Sequence, residues 1–217
     1  EIRLSLVGSE MCIRDRLYIA PLNGDSNKVL DDIVKFAKEN KTYVCFNAGT
    51  TGIKKGFNYL KKILNFAHIV VLNKEEASMA TGIELRSDTK DIKFSHHLIH
   101  PDLKEMFAKL NVSKEQIIVI TDGKYGAYAF DGKAYYYCPC FEGPVTSTLG
   151  AGDAFASTFC AALSKFDGDI PKSLIAASVN SAGVVSQFGA TAGLLTFDEI
   201  LKRIENTPEF ICQMEHI

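Results

Sequence analysis

The chain has 217 residues, of which 47% are hydrophobic and 23% charged, an ordinary composition for a globular protein with one sizeable core. Its formal net charge is −2, and its Lys and Arg residues are scattered, so no basic surface for nucleic acid is predicted. The longest apolar runs are strand-sized, far below the roughly 20 residues of a membrane-spanning helix, so we expect a soluble protein with neither nucleic acid nor membrane as partner.

Residues 5–16, "SLVGSEMCIRDR", do not resemble the start of a structural element, and they resemble translated sequencing-adapter read-through. We therefore treat residues 1–16 as a non-native leader and expect the folded domain to span residues 17–217. On this interpretation the chain enters in mid-strand near Leu17 and lacks the front of a longer protein. A genuine N-terminal segment is the alternative.

Apolar periodicity then predicts strands and helices in alternation. "LYIAPL" (17–22) is a short strand, and Asp25, Ser26 or Asn27 is the candidate cap of the helix that follows. Further strands are predicted at 42–47, 68–73 and 116–121, and further helices at 56–67 and 101–110. "GTTGIKKG" (49–56) is predicted to be a loop, and the polar stretch 86–100 is predicted to be a surface excursion.

The last part of the chain combines a hairpin with helices. Asp131-Gly132 is the strongest hairpin signal, between two short strands. Helices are predicted from the "GAGD" stretch, from Pro171 to about Phe188, and after Thr196, with no strand beyond them. This alternation predicts an α/β fold of three layers, α/β/α, in which a mainly parallel sheet is flanked by helices.

The cysteines and histidines favour structural interpretations. Six cysteines, at positions 12, 45, 138, 140, 160 and 212, lack the spacing of a zinc site, and we interpret them as free thiols in a reducing cytoplasm. Cys138 and Cys140 in "YYYCPCF" supply only half of a tetrahedral site, which favours a strand end turned by Pro139 over a redox or metal element. His96, His97 and His100 have no carboxylate or cysteine partners nearby in sequence, which favours a solvated loop.

Ligands of such folds bind beyond the carboxyl ends of the strands, and the helix that opens at "TSTLGAGDAF" is one candidate. Gly150, Ala151 and Gly152 would let a phosphate approach the unpaired N–H groups of the helix start. Asp153 would be repelled by that phosphate, and the role of general base in phosphoryl transfer would justify its position. The alternative is an acidic first-turn residue stabilised by the helix dipole.

Two further loops leave strands at the same predicted edge. In "NKEEA", Asn73 and Glu76 have the spacing to hold a hydrated Mg²⁺, or to form a helix cap, and the two interpretations are not exclusive. In "TDGKYG", Gly123 and Gly126 would permit the backbone to approach a nucleotide closely. A plain turn is the alternative for this loop.

The motifs "STLGAGDAFAS", "NKEEA" and "TDGKYGAYAFDG" resemble the ribokinase or PfkB family of carbohydrate and nucleoside kinases, from Leu17 onward. The resemblance implies ATP and Mg²⁺ as cofactors, Asp153 as base, and Gly150, Ala151 and Gly152 as the anion hole. It also implies that the metal lies near Glu76 and Asn73, and that the nucleotide contacts the following residues: Thr121, Gly123, Gly126, Asn180 and Gly189. For Asn180, a polar residue satisfied within helix packing is the alternative.

The chain also departs from the family pattern. Ser147, Thr148 and Leu149 replace the usual Asp-Thr-Thr, so the carboxylate that commonly helps to bind a potassium-type cation is missing. Thr158 stands where a small residue is expected. The glycine-rich sugar-binding segments and the lid strands have no counterpart, and since the lid often carries the dimer contact in relatives, a homodimer belongs to the full-length protein.

The sequence therefore predicts an ATP-dependent kinase that phosphorylates a hydroxyl of a sugar or nucleoside, with little or no activity from this chain alone. The alternative is a non-catalytic nucleotide- or sugar-binding remnant of such a kinase. A P-loop is excluded by the glycine spacing of residues 49–56, and a Rossmann-type dehydrogenase by the lack of a glycine fingerprint after an early strand.

Overall fold

The computed structural model describes residues 16–22, 29–84, 98–113 and 115–217. Four predictions fall outside these ranges: the leader up to residue 15, the helix caps Asp25 to Asn27, the stretch 86–97 of the surface excursion, and the loop position of His96 and His97. Within the described ranges, Arg16 is already the first residue of a strand and pairs with Tyr43.

A sheet of seven strands runs through the middle of the protein, in the order of the chain. The strands are β1 (Arg16–Ile19), β2 (Tyr43–Asn47), β3 (Ile69–Asn73), β4 (Ile117–Thr121), β5 (Ala127–Phe130), β6 (Ala134–Cys138) and β7 (Gln213–His216). Strands β1 to β4 are parallel, and β5, β6 and β7 continue the sheet in antiparallel fashion. The central parallel strands β3 and β4 are rich in β-branched residues, as is typical of strands that are covered on both faces.

Helices cover both faces of this sheet. They are α1 (Leu30–Glu39), α2 (Gly49–Ile53), α3 (Phe57–Leu64), α4 (Lys74–Thr81), α5 (Pro101–Leu110), α6 (Ala151–Lys165), α7 (Ile170–Val185) and α8 (Phe197–Glu205). One apolar cluster joins one face of the sheet to α1, α3, α4 and α5, through residues such as Leu60 and Phe107. A second cluster joins the other face to α6 and α7, through residues such as Phe159 and Leu174. The predicted three-layer α/β/α fold is therefore confirmed.

Local sequence signals explain several of the element boundaries. The Asp131-Gly132 hairpin is confirmed by the antiparallel pairing of β5 with β6. Helix α8 begins at Thr196 with a full capping box to Glu199. Strand β6 ends at Cys138, directly before Pro139, and all five cysteines in the described ranges are free.

Two predictions about elements are wrong. Residues 49–53 form the short helix α2 instead of a loop, because the chain turns helical directly after Ala48 at the end of β2. The chain also does not finish with helices, because β7 pairs with the outer edge of β6. The sequence of β7, QMEH, has little strand character of its own, so this strand depends on its partner. Among the described residues, no helix has the length and apolarity needed to cross a bilayer.

Candidate active site

The carboxyl ends of the central strands surround a cavity of about 150 Å³. Strands β2, β3 and β4 and the start of α6 each contribute to its wall, because parallel strands end at the same edge of a sheet. The polar or glycine residues lining it include Asn47, Asn73, Glu76, Thr121, Gly150, Gly152 and Asp153. The structure thus brings together residues from all three loops that the sequence analysis selected.

The first turn of α6 faces this cavity, and its two glycines have different environments. Gly150 has φ +82°, and a Cβ on it would lie 2.4 Å from the carbonyl oxygen of Ala190. A Cβ on Gly152 would have no heavy atom within 4 Å. Gly150 is therefore required by the left-handed backbone and by the packing against Ala190, whereas Gly152 leaves open space in front of the helix.

Backbone donors at the start of α6 point out of the helix. The N–H of Ala151 donates to Thr148 over 3.3 Å, and the N–H of Ala154 donates to Gly150 over 2.9 Å. Gly150 is the N-cap, and no side chain among the described residues caps this helix. Within that part of the chain, the N–H groups of Gly152 and Asp153 are the first-turn donors available to an anion.

Asp153 is exposed and lies near two side chains from the neighbouring strands. The hydroxyl of Tyr18 is 3.4 Å from Oδ1 of Asp153, and Nδ2 of Asn47 is 3.5 Å from the same oxygen. Asn47 also donates to the hydroxyl of Tyr18 over 3.3 Å. These long contacts orient the carboxylate weakly and leave it open to other partners.

Tyr18 remains a proton donor in this arrangement. Burial is the main reason that the pKa of Tyr18 lies above its usual value, and the negative charge of Asp153 raises it further. The hydrogen bond from Asn47 opposes this shift without reversing it. At neutral pH the phenol is therefore protonated and can donate to Asp153.

Helix α4 begins on the other side of the cavity with a complete capping box. Oδ1 of Asn73 accepts from the N–H of Glu76 over 2.8 Å, and Oε2 of Glu76 accepts from the N–H of Asn73 over 3.1 Å. Thr50 of α2 donates to Oε1 of Glu76 over 3.3 Å. The cap interpretation is confirmed, and it holds the buried carboxylate of Glu76 at the cavity wall.

The side chains around the cavity suit Mg²⁺, which needs few protein ligands, better than a metal ion whose ligands all come from the protein. The described residues contain no cluster of three or more His, Cys, Asp or Glu side chains that could hold a metal ion. Mg²⁺ binds through one or two carboxylates together with phosphate oxygens and water. The carboxylates of Glu76 and Asp153 both line the cavity, so a divalent cation would offset their charges beside an anion.

The third predicted loop, after β4, contributes less to the cavity. Thr121 lines it, and Gly123 has φ +52° with open space around its Cβ position. A Cβ on Gly126 would lie 2.2 Å from the carbonyl oxygen of Cys138, so this glycine is required by packing of the hairpin. Asp122 lies 2.5 Å from Nζ of Lys74 at the start of α4, which ties this loop to the capped helix.

Asn180 is buried in the packing between α6 and α7. Its Nδ2 donates to Oγ1 of Thr158 over 2.7 Å, and its Oδ1 accepts from the N–H of Leu195 over 2.9 Å. Thr158, which stands where the family pattern has a small residue, thus supplies the hydrogen-bond acceptor for Asn180. Gly189 lies in the loop after α7 with φ +106°, next to the exposed Phe188. These contacts match the alternative interpretation, in which Asn180 is a polar residue satisfied within helix packing. A contact between Asn180 or Gly189 and a nucleotide stays a prediction.

Sequence reasoning missed three residues of the site: Tyr18, Asn47 and Thr50. Asn47 ends β2 as Asn73 ends β3, so the rule that directed attention to Asn73 could have found it. Tyr18 carries no such signal, because it lies inside a strand and reaches Asp153 across 135 residues of sequence. Thr50 lies on the helix that was predicted to be a loop.

A second cavity, of about 330 Å³, lies at the amino ends of β2 and β3. Lys38, Lys41, Thr42 and His68 are among its lining residues, and two of these are cationic. It adjoins the carboxyl ends of α1 and α3, where lysines complement the helix dipole. The smaller cavity is the better candidate active site. Of the two cavities, it is the one lined both by carboxylates and by a helix start with available N–H groups.

A family model for pfkB family carbohydrate kinases matches residues 14–196, most of the chain. Among curated proteins, a 5-dehydro-2-deoxygluconokinase of Shouchella clausii is 27% identical over 149 residues, which are 68% of this chain and 40% of that protein. This chain therefore spans less than half of the length of that relative.

Two solved structures have a similar fold. One is a nucleoside kinase of Burkholderia thailandensis in complex with inosine, with a TM-score of 0.69, 18% identity, and coverage of 93% of this chain and 59% of the other. The second is a putative ribokinase II of E. coli in complex with ATP and Mg²⁺, with a TM-score of 0.62, 16% identity, and coverage of 82% and 53%. Both likenesses concern the fold.

Proposed function

The chain belongs to the pfkB family of carbohydrate kinases, and on this premise we propose that it carries out ATP-dependent phosphoryl transfer to a hydroxyl of a sugar or nucleoside. The proposal rests on one observation: Asp153 and the open first turn of α6 line the same cavity as Glu76. A residue that can take a proton, donors that can hold an anion, and a carboxylate that suits a metal thus meet in one place.

Asp153 is the proposed general base. Its carboxylate is exposed at the cavity, so it can reach the hydroxyl of a bound acceptor and take its proton as that oxygen attacks the γ-phosphorus. Asn47 and the protonated Tyr18 would orient Oδ1 and leave Oδ2 for the acceptor. A carboxylate at this position is unfavourable for phosphate binding alone, which supports a catalytic role.

The backbone from Gly150 to Gly152 is the proposed anion hole. A Cβ on Gly152 would meet open space, and the N–H groups of Gly152 and Asp153 are first-turn donors of the helix, so we propose that both donate to an oxygen of the transferring phosphoryl group. Gly150 would contribute by shaping the turn, since its left-handed conformation directs the chain into the helix. These donors would stabilise the charge that develops during transfer.

Glu76 and Asn73 would hold the metal side of the site. When bound, Mg²⁺ would neutralise phosphate charge between the nucleotide and the protein. The capping box and Thr50 fix the carboxylate of Glu76, while each of its oxygens keeps a lone pair for a ligand or a bound water. The ATP and Mg²⁺ in the E. coli structure of similar fold support this proposal.

The nucleotide base would lie against the loop after α7. Gly189 and the exposed Phe188 belong to this loop. Thr121, which lines the cavity, and Gly123 would lie near the phosphates. Because both polar atoms of the Asn180 side chain already have partners within the fold, its proposed contribution is to hold Leu195 and the loop behind the base. We also propose residues 17–217 as the nucleotide-binding and catalytic domain.

A coupled ADP-release assay over a panel of sugars and nucleosides tests this function. These 217 residues match only 40% of the curated relative, so alone they should give little or no turnover. In a chain of the relative's full length we expect turnover that depends on ATP and Mg²⁺ and that selects one class of acceptor. Calorimetry with the same nucleotide separates the alternative: binding of nucleotide without turnover on any acceptor would favour a non-catalytic binding protein. A chain that neither binds ATP nor turns over would contradict both proposals.

A further inference from the structure

Two cysteines far apart in sequence face each other at the end of the β6–β7 pair. The antiparallel register joins Ala134 to His216 and Tyr137 to Gln213. Continued by one residue, this register places Cys138 directly opposite Cys212. The hydrogen bond from the N–H of Ile217 to Lys133, one step beyond the other end, shows that the same register extends past the strand limits.

Cys138 and Cys212 occupy a non-hydrogen-bonded pair of the antiparallel sheet, the type of pair in which facing side chains lie closest together. In antiparallel sheets, hydrogen-bonded and non-hydrogen-bonded pairs alternate. Since Lys133 and Ile217 are hydrogen-bonded, the alternation makes Cys138 and Cys212 a non-hydrogen-bonded pair. The Cα atoms of such pairs are about 4.5 Å apart, within the range of about 4.4–6.8 Å that disulfide bonds span.

Both thiols also lie on the same face of the sheet. Cys138 is fully buried in the apolar cluster between the sheet and α6 and α7, and Cys212 is partly buried against the same cluster. The thiol of Cys138 has no solvent access, whereas Cys212 is reachable at the rim. Cys140, the neighbour of Cys138 in the CPC motif, is exposed and lies beyond Pro139.

We propose that Cys138 and Cys212 are a disulfide-forming pair, oxidised by thiol–disulfide exchange with a small disulfide such as glutathione disulfide. The proposed partner of Cys138 is thus Cys212 and not Cys140, its neighbour in the CPC motif. It is independent of the proposed kinase activity, because it rests on strand register and burial alone.

The exchange takes place in two steps. The thiolate of Cys212 attacks one sulfur of glutathione disulfide, so that a mixed disulfide forms and one glutathione thiolate leaves. The thiolate of Cys138 then attacks Sγ of Cys212 and releases the second glutathione. Two protein thiols lose two protons and two electrons in total, and one glutathione disulfide becomes two glutathione thiols.

Burial makes this a slow, structural crosslink. Burial raises the pKa of Cys212 to about 12 and raises the pKa of Cys138 further above its usual value. Few thiolates are therefore present at neutral pH, and exchange is slow in the folded state. Once formed, the bond closes a loop that contains α6, α7 and α8, and it fastens β7 to the sheet.

The test is peptide mapping of the 217-residue chain after equilibration in glutathione redox buffers. After acid quench, alkylation and digestion with trypsin and a glutamate-specific protease, we expect residues 134–142 joined to residues 210–215. This fragment separates the pair from Cys160, which lies in another peptide. Oxidation should also raise the melting temperature by about 5–10 °C, and dithiothreitol should reverse the rise.

Matched variants distinguish the two cysteines of the CPC motif. The crosslinked peptide should persist in Cys140→Ser and disappear in Cys138→Ala and in Cys212→Ser, whose partly buried site tolerates the change. A crosslink that is lost in Cys140→Ser but retained in Cys138→Ala would overturn the proposal. Glutathione adducts without any joined peptide in the wild-type chain would overturn it as well.

Discussion

Helices α4 and α6 begin on opposite sides of one cavity, and their first turns are built in opposite ways. At the start of α4, Asn73 and Glu76 satisfy each other, and Thr50 secures the carboxylate. At the start of α6, Gly150 caps without a side chain and Asp153 is exposed. The capping box of α4 holds a carboxylate in a fixed position. The start of α6, which has no such cap, retains backbone N–H groups that can donate to a ligand.

A helix start without a side-chain cap does not by itself indicate a ligand-binding site. Among the described residues, no side chain caps helix α1 or α3 either, and neither first turn lines the smaller cavity. What distinguishes α6 is the close packing of Gly150 against Ala190 next to the empty space at Gly152. The backbone is thus tightly packed at Gly150, two residues before Gly152, where there is open space.

Asp153→Asn should have the largest effect on function. In a chain of the relatives' full length, loss of the base is expected to lower kcat by about 100- to 10,000-fold, as measured by coupled ADP release. Because the amide removes a negative charge beside the phosphates, the Kd for ATP should stay equal or fall. Near-normal turnover would remove Asp153 from the role of base, and a large loss of ATP affinity would indicate a binding role instead.

The two glycines of α6 should respond differently to the same methyl group. Gly150→Ala should destabilise the fold by about 2–5 kcal/mol, from left-handed strain and overpacking against Ala190. Gly152→Ala should leave stability equal or slightly higher while weakening nucleotide binding roughly tenfold, about 1.4 kcal/mol. Denaturant unfolding and calorimetry measure the two effects, and equal unfolding midpoints for both variants would contradict the assigned difference.

Variants of the α4 capping box should separate its structural role from its metal role. Asn73→Ala should cost about 0.5–2 kcal/mol of stability, because the cap acceptor is lost. Glu76→Gln keeps a side chain that can form the box, so its stability should change little while Mg²⁺-dependent nucleotide affinity falls. If Glu76→Gln binds nucleotide with unchanged Mg²⁺ dependence, the metal site lies elsewhere.

Tyr18→Phe should have the smallest effect. The lost hydroxyl makes contacts of 3.4 Å with Asp153 and 3.3 Å with Asn47, which are long for O–H and N–H donors. A loss in kcat of only a few-fold is expected, with unchanged ATP binding. A loss as large as that of Asp153→Asn would mean that Tyr18 takes part in proton transfer directly.

Local patterns predicted most elements and the three loops whose residues meet at the smaller cavity. Alternating apolar runs, the Asp131-Gly132 hairpin and the box at Asn73 are encoded within a few residues. What sequence reasoning missed depends on distant partners: β7 on β6, Tyr18 on Asp153, and the requirement for glycine at position 150 on Ala190. Gly126 shows the same limit, because its close approach to the carbonyl oxygen of Cys138 is not encoded in the local sequence; its nucleotide contact stays a prediction.

We propose the first turn of α6 as the anion-binding element of the cavity. Titration of the ¹⁵N-labelled chain with MgADP, followed by amide NMR, tests it most directly. We predict that the amide signals of Gly152 and Asp153 shift and saturate with the Kd measured by calorimetry, and that Gly152→Ala weakens both together. Saturation with nucleotide while these two amide signals stay in place would contradict the claim.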